Sequence, residues 1–191
     1  MKNVFVLLSD GFEEIESVTP IDLLRRAGIS VTTISMNATP TVKGSRDITI
    51  LADTVYTKVS LENLPDAVFL PGGLKGSINL SNHTFATQIL LEMKKNNKYI
   101  AAICAAPIIV LSPLGLLDGK KFTCFPDMLN SEYQAQQADV SGHVDMPVVQ
   151  DGNLITSQGA GTSSDLAFKL IEILETTERS NKIKTETIYM R

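Results

Sequence analysis

Short runs of β-branched and aliphatic residues, at 4–8, 31–35, 67–70, 99–103, 121–124 and 154–157, alternate with longer stretches in which apolar residues recur every three or four positions. That alternation constrains the fold more than anything else in the chain, because strand–helix–strand units stack into one mostly parallel sheet with helices on both faces. Apolar or β-branched residues fill most positions of each run without strict alternation, as suits strands covered on both sides. Helices are predicted over 14–27, 84–96, 105–116 and 163–176, the last with Leu166, Leu170, Ile173 and Leu174 at helical spacing. Pro20 falls inside the first and should weaken or kink it. Two hairpins are expected as well: an exposed one within 44–60, where Ile48, Ile50, Ala52 and Val55 suggest alternation, and one over 144–154 turning at Asp151-Gly152. The polar tail, 178–191, reads as a short surface helix or an extended segment.

A chain of 191 residues, 43% hydrophobic and 20% charged, fits one globular domain with one core. Without repeats or linkers to divide it, the expected architecture is a single α/β domain over 1–191, a three-layer sandwich of the flavodoxin-like kind. The net charge of -4, with no basic cluster beyond pieces such as Lys94-Lys95, gives little attraction for phosphate backbones, so specific nucleic-acid binding is not expected. No apolar stretch approaches the roughly 20 residues needed to cross a bilayer. Met1-Lys2 leads straight into the first strand with no export signal between them. Two cysteines, in neither a Cys-x-x-Cys pattern nor a Cys/His cluster, make neither a disulfide framework nor a zinc site. A cytoplasmic protein needing no metal and no organic cofactor is expected, since no phosphate-binding glycine fingerprint appears either.

In a parallel sheet with right-handed crossovers, the loops after the strands gather along one edge, where ligands bind. Three of those loops carry unusual residues. After residues 99–103 comes Cys104-Ala105-Ala106-Pro107, a run-to-helix turn with small residues on either side of the thiol, as a nucleophile elbow requires. The start of a helix should favour thiolate there. After residues 67–70, Pro71-Gly72-Gly73 lets backbone N–H groups approach a ligand, and with the Ala105 N–H it forms a candidate oxyanion site. After residues 4–8, Glu13, Glu14 and Glu16 open a helix. Acids in a first turn ordinarily complement the helix dipole, yet one buried beside a thiol would be held protonated and able to exchange a proton. Periodicity does not choose among the three. His83 and His143 read as surface residues, and Cys124 as a core or pocket-wall thiol.

Taken together, Gly11-Phe12-Glu13-Glu14-Ile15-Glu16, the stretch from Asp22 to Ile29, Gly44-Ser45-Arg46-Asp47, Leu70-Pro71-Gly72-Gly73, Ala101-Ala102-Ile103-Cys104-Ala105-Ala106-Pro107 and the stretch from Thr156 to Thr162 resemble the ThiJ/PfpI superfamily. The branch is that of the parkinsonism-associated deglycase and the YajL-like proteins. The resemblance implies Cys104 as nucleophile, Glu16 as its protonated partner and Glu13 as a second pocket carboxylate. It further implies Gly72, Gly73 and Ala105 as backbone donors, and Arg46 as an arginine reaching the site region across a homodimer interface. Phe125 stands where several members of the family carry a histidine beside the nucleophile, which argues against a histidine-assisted mechanism. Two functions follow from the resemblance: a cofactor-independent glyoxalase or deglycase acting on small aldehydes or early glycation adducts, or a redox-responsive chaperone or oxidation sensor using the same cysteine.

Overall fold

A computed structural model describes residues 1–130 and 140–190. In chain order its elements are β1 (Asn3–Leu8), α1 (Glu14–Arg26), β2 (Ser30–Ser35), β3 (Thr41–Lys43), β4 (Thr49–Leu51), β5 (Thr54–Val55), β6 (Ala67–Leu70), α2 (Leu74–Ser81), α3 (Thr84–Lys95), β7 (Tyr99–Ile103), β8 (Val148–Asp151), β9 (Leu154–Ser157), α4 (Ser163–Leu174) and α5 (Thr177–Glu186). Seven strands form one sheet in the order β5-β2-β1-β6-β7-β9-β8. All neighbours are parallel except β8, which runs antiparallel to β9 at the edge. The interior strands β6 and β9 are buried at every residue, as strands covered on both faces are.

One face of the sheet packs against α1, α4 and α5 around Phe12, Leu24, Phe69 and Leu170. The other packs against α2, α3 and the segment after β7, around Leu7, Leu90, Met93 and Phe122. The strand order reverses between β1 and β6, so the carboxyl ends of those two strands splay apart and leave a crevice. The loops 9–13 and 71–73 open into it, and β7, next to β6, ends beside it at Cys104. Among the described residues no helix is long and apolar enough to cross a membrane.

Several expectations are corrected. Residues 121–124 are not a strand: Phe122 makes a single bridge with His143, and the Thr123 N–H goes to the Thr156 hydroxyl, 2.8 Å away, instead of to a strand backbone. Residues 105–116 are not a regular α-helix but a π-helical turn, Pro107–Leu111, followed by a 3-10 turn, Ser112–Leu114. Pro107 and Pro113 each withdraw a backbone donor there. Helix α2 was not expected, because its Gly76, Ser77 and Asn79 mask the helical pattern.

Within 44–60 the hairpin is displaced: Thr41–Lys43 pairs with Thr49–Leu51, while β5 joins the central sheet beside β2. The second hairpin forms with its turn one residue later than expected, Val148–Asp151 pairing with Leu154–Ser157 through Gly152-Asn153, with Gly152 at φ 60°. α1 runs through Pro20 without interruption. The tail is more than a surface helix: Ile183 of α5 is fully buried, and Arg179 hydrogen-bonds the Ala27 and Arg26 carbonyls at the end of α1. Arg191, the end of that tail, lies outside the described residues.

Candidate active site

Cys104 follows β7 with φ 64°, a left-handed conformation that a residue bearing a Cβ enters at a cost of about 1–2 kcal/mol. The surroundings hold it there. Its N–H donates to the Ser157 carbonyl on β9 (2.9 Å), and its carbonyl accepts the Phe125 N–H (2.9 Å). The strained turn swings the thiol out of the sheet into a cleft of about 760 Å³.

Glu16 approaches from the first turn of α1 and is only 1% exposed. Its Oε2 has no hydrogen-bond partner of its own. A Cβ on Gly72 would fall 2.3 Å from that oxygen and 2.5 Å from the Cys104 Cβ, so the carboxyl and the thiol meet over the one residue that leaves room for both. Burial pushes the Glu16 carboxyl up to about 7, against the pull of Cys104 and with help from the Glu13 charge; the amides of Gly72 and Ala160 oppose the rise. Burial, then the facing carboxyl, push the Cys104 thiol up to about 12, while the Gly73 and Ala105 amides favour its anion.

The turn's two amides thus favour the anion, as expected, while burial and the facing carboxyl oppose it. What the pair resists is a second negative charge. Near neutral pH one proton is shared between carboxyl and sulfur, and the two groups titrate as a unit.

The remaining candidates separate by role. The Gly73 and Ala105 amides face the sulfur, but the Gly72 amide faces the carboxyl. Glu13 caps α1, its carboxylate accepting the Glu16 N–H at 2.7 Å, and so fixes the turn that presents Glu16. Glu14 is buried, not solvated: its Oε1 accepts the Arg46 N–H (2.6 Å) and its Oε2 the Ser45 hydroxyl (3.1 Å). It anchors the β3–β4 loop to the cleft, which leaves it no part in chemistry. Arg46 and the exposed Phe125 line the cleft of their own chain. Neither histidine lines it. His83 packs edge-on to Tyr56 and His143 against Phe122, both half-buried instead of free on the surface. Cys124 is fully buried in the core against α2 and α3.

Sequence reasoning missed Ala160, whose amide supports Glu16, and Asp10 and Lys75, which line the same cleft. Ala160 and Asp10 sit in loops after strands β9 and β1, so the rule that singled out Cys104 applies to them as well.

The model of the DJ-1/PfpI family matches residues 2–173. The chain belongs to the DJ-1/PfpI family. It is 40% identical over 183 residues to protein dj-1beta of Drosophila melanogaster, covering 95% of this chain and 94% of that one. It is 32% identical over 192 residues to the glutathione-independent glyoxalase DJ-1 of Schizosaccharomyces pombe, covering 96% of each. Among solved structures, oxidized Toxoplasma gondii DJ-1 superposes with a TM-score of 0.93 at 32% identity, over 100% of both chains. A DJ-1/PfpI fold thus accounts for the crevice and for the loops that open into it.

Proposed function

We propose that this protein is a cysteine-dependent glyoxalase or deglycase, cytoplasmic and free of any cofactor, that converts small 2-oxoaldehydes or their early adducts to hydroxy acids. The observation that carries the reading is the buried Glu16 carboxyl set against Cys104 over Gly72.

On methylglyoxal, the sulfur adds to the aldehyde carbon and the aldehyde oxygen takes up a proton, giving a hemithioacetal. Glu16, as carboxylate, removes the hydrogen on that carbon and returns a proton to the neighbouring one through an enediol. The result is a thioester of the hydroxy acid, which water hydrolyses to lactate and free Cys104; the sum is aldehyde plus water. The Gly73 and Ala105 amides, already facing the sulfur, are placed to hold the oxygen as charge builds on it. A carboxyl held near 7 suits both halves of the proton transfer. The name of the Schizosaccharomyces pombe relative supports the same reaction class.

The protein is further proposed to work as a homodimer. Ile15 and Val18 of α1 and Ile48 and Leu51 of the β3–β4 hairpin are large apolar residues left exposed, and Glu14 ties the two elements together. Sedimentation velocity at micromolar concentration checks this, and a monomer would refute it. The reaction is tested by lactate formation from methylglyoxal with purified protein, corrected for a low-molecular-weight amine control. Cys104→Ala should abolish it; equal turnover by the variant would sink the proposal. A second reading, an oxidation-responsive chaperone, draws on the oxidized state of the Toxoplasma gondii relative. In that case peroxide-treated protein would suppress client aggregation and the native protein would make no lactate.

A further inference from the structure

A second cavity, of about 520 Å³, lies at the opposite edge of the sheet, where β7 and β9 begin. Its apolar lining is Ile100, Leu116 and Leu154, each at most 7% exposed. Its charged lining is three lysines, Lys94, Lys98 and Lys120, against one carboxylate, Asp151, in a chain whose net charge is -4.

Asp151 is already engaged on both oxygens, by the Lys120 ammonium at 3.2 Å and the Lys121 N–H at 2.9 Å. Among the described residues Lys98 has only Asp66 as an ion-pair partner, at 3.7 Å, and shares it with Lys2. Lys94 has no carboxylate partner among the described residues: it reaches away from α3 to the Gly115 carbonyl, 3.0 Å off. A lysine in the last turn of a helix ordinarily serves that helix's own carbonyls. Here it is extended toward the segment that carries Leu116. The Asn153 side chain donates to the Asn97 carbonyl, tying the end of α3 to the β8–β9 turn, so the walls are joined before any ligand arrives.

We infer that this cavity binds a small organic anion with an apolar body, a carboxylate, sulfonate or phosphate monoester carried on an aromatic ring or short alkyl chain. The apolar body covers Ile100, Leu116 and Leu154, and the anionic group takes the surplus positive charge of Lys94 and Lys98. An inorganic anion would meet the lysines and leave the apolar floor wet, and a neutral ligand would leave Lys94 without a counter-charge. Charge-assisted hydrogen bonds are the stronger kind, so the anionic group sets affinity and the floor sets shape.

The test uses the full-length protein with anilinonaphthalene sulfonate as probe, neutral phenylnaphthylamine and inorganic phosphate as comparisons, and methyl-resolved NMR to locate binding. Saturable binding of the sulfonate is expected, shifting the methyl signals of Ile100, Leu116 and Leu154. Lys94→Glu with Lys98→Glu should weaken it by about ten-fold or more while the rate of Cys104 alkylation stays unchanged. The milder pair Lys94→Gln with Lys98→Gln, checked for an unaltered melting curve, should weaken it by a smaller factor in the same direction. The inference is overturned if those methyl signals do not move, if the neutral probe or phosphate binds as tightly, or if both double variants bind the sulfonate as the native protein does.

Discussion

Replacing Glu16 with Gln should stabilise the protein more at pH 8 than at pH 5 while removing most of its turnover. The carboxyl titrates near 4.5 in an unfolded chain and is raised to about 7 by burial in the folded one. Between those values the unfolded state has released a proton that the folded state still holds. Native stability therefore falls as pH rises through that window. At about 1.4 kcal/mol per pH unit the full penalty is about 3 kcal/mol by pH 8 and about 1 kcal/mol at pH 5. Glutamine keeps the shape and never ionises, so relative to the native protein the variant should gain about 2 kcal/mol more at pH 8 than at pH 5. For a chain of this size that corresponds to a difference of about 4–8 °C in melting temperature. Urea denaturation at the two pH values, with melting curves as a cross-check, reads it directly. Lactate formation should meanwhile fall by about 10²–10⁴, the usual contribution of a positioned general acid–base. An equal stability change at both pH values would refute the reasoning, because it would mean that Glu16 is ionised and compensated in the fold.

Three further outcomes follow from the geometry. Cys104→Gly should be more stable than Cys104→Ala by about 1 kcal/mol, because only glycine occupies φ 64° without strain; equal denaturation midpoints would show that the turn is not strained. Gly72→Ala places a Cβ 2.3 Å from Glu16 Oε2 and 2.9 Å from the Ile103 carbonyl, so it should cost about 1–3 kcal/mol and disturb the thiol–carboxyl pair; unchanged stability and unchanged Cys104 alkylation would contradict it. Glu14→Ala removes the acceptor of the Arg46 N–H and the Ser45 hydroxyl, so amide exchange at Arg46 should accelerate by about ten-fold or more; exchange at the native rate would mean that the β3–β4 loop is held by other contacts.

The strand runs at 67–70, 99–103 and 154–157 are legible in the sequence with their boundaries, because a strand buried on both faces draws on apolar and β-branched residues without alternation over a short stretch. The gathering of Cys104, Pro71-Gly72-Gly73 and the acidic turn at one sheet edge follows from the same pattern, since parallel strands with helical crossovers leave their carboxyl ends no other place. The β8–β9 hairpin was open to reading to within one residue of its turn, the turn chemistry being local. Residues 121–124 show where such reading ends: the run carries strand-forming Phe122, Thr123 and Cys124, but pairing is a relation between segments, and its backbone makes one bridge, Phe122 hydrogen-bonding Gly142 and Val144 on either side of His143.

The choice among Glu13, Glu14 and Glu16 was likewise not local. All three suit the first turn of α1, and it is the packing of that turn against Gly72 and against the β3–β4 loop that makes Glu13 a cap, Glu14 an anchor and Glu16 the carboxyl facing the thiol. The acidity of Cys104 was decided the same way. A turn at the start of a helix favours thiolate by itself, and only the folded protein sets a buried carboxyl opposite it, where the pair resists carrying two charges in one dry crevice.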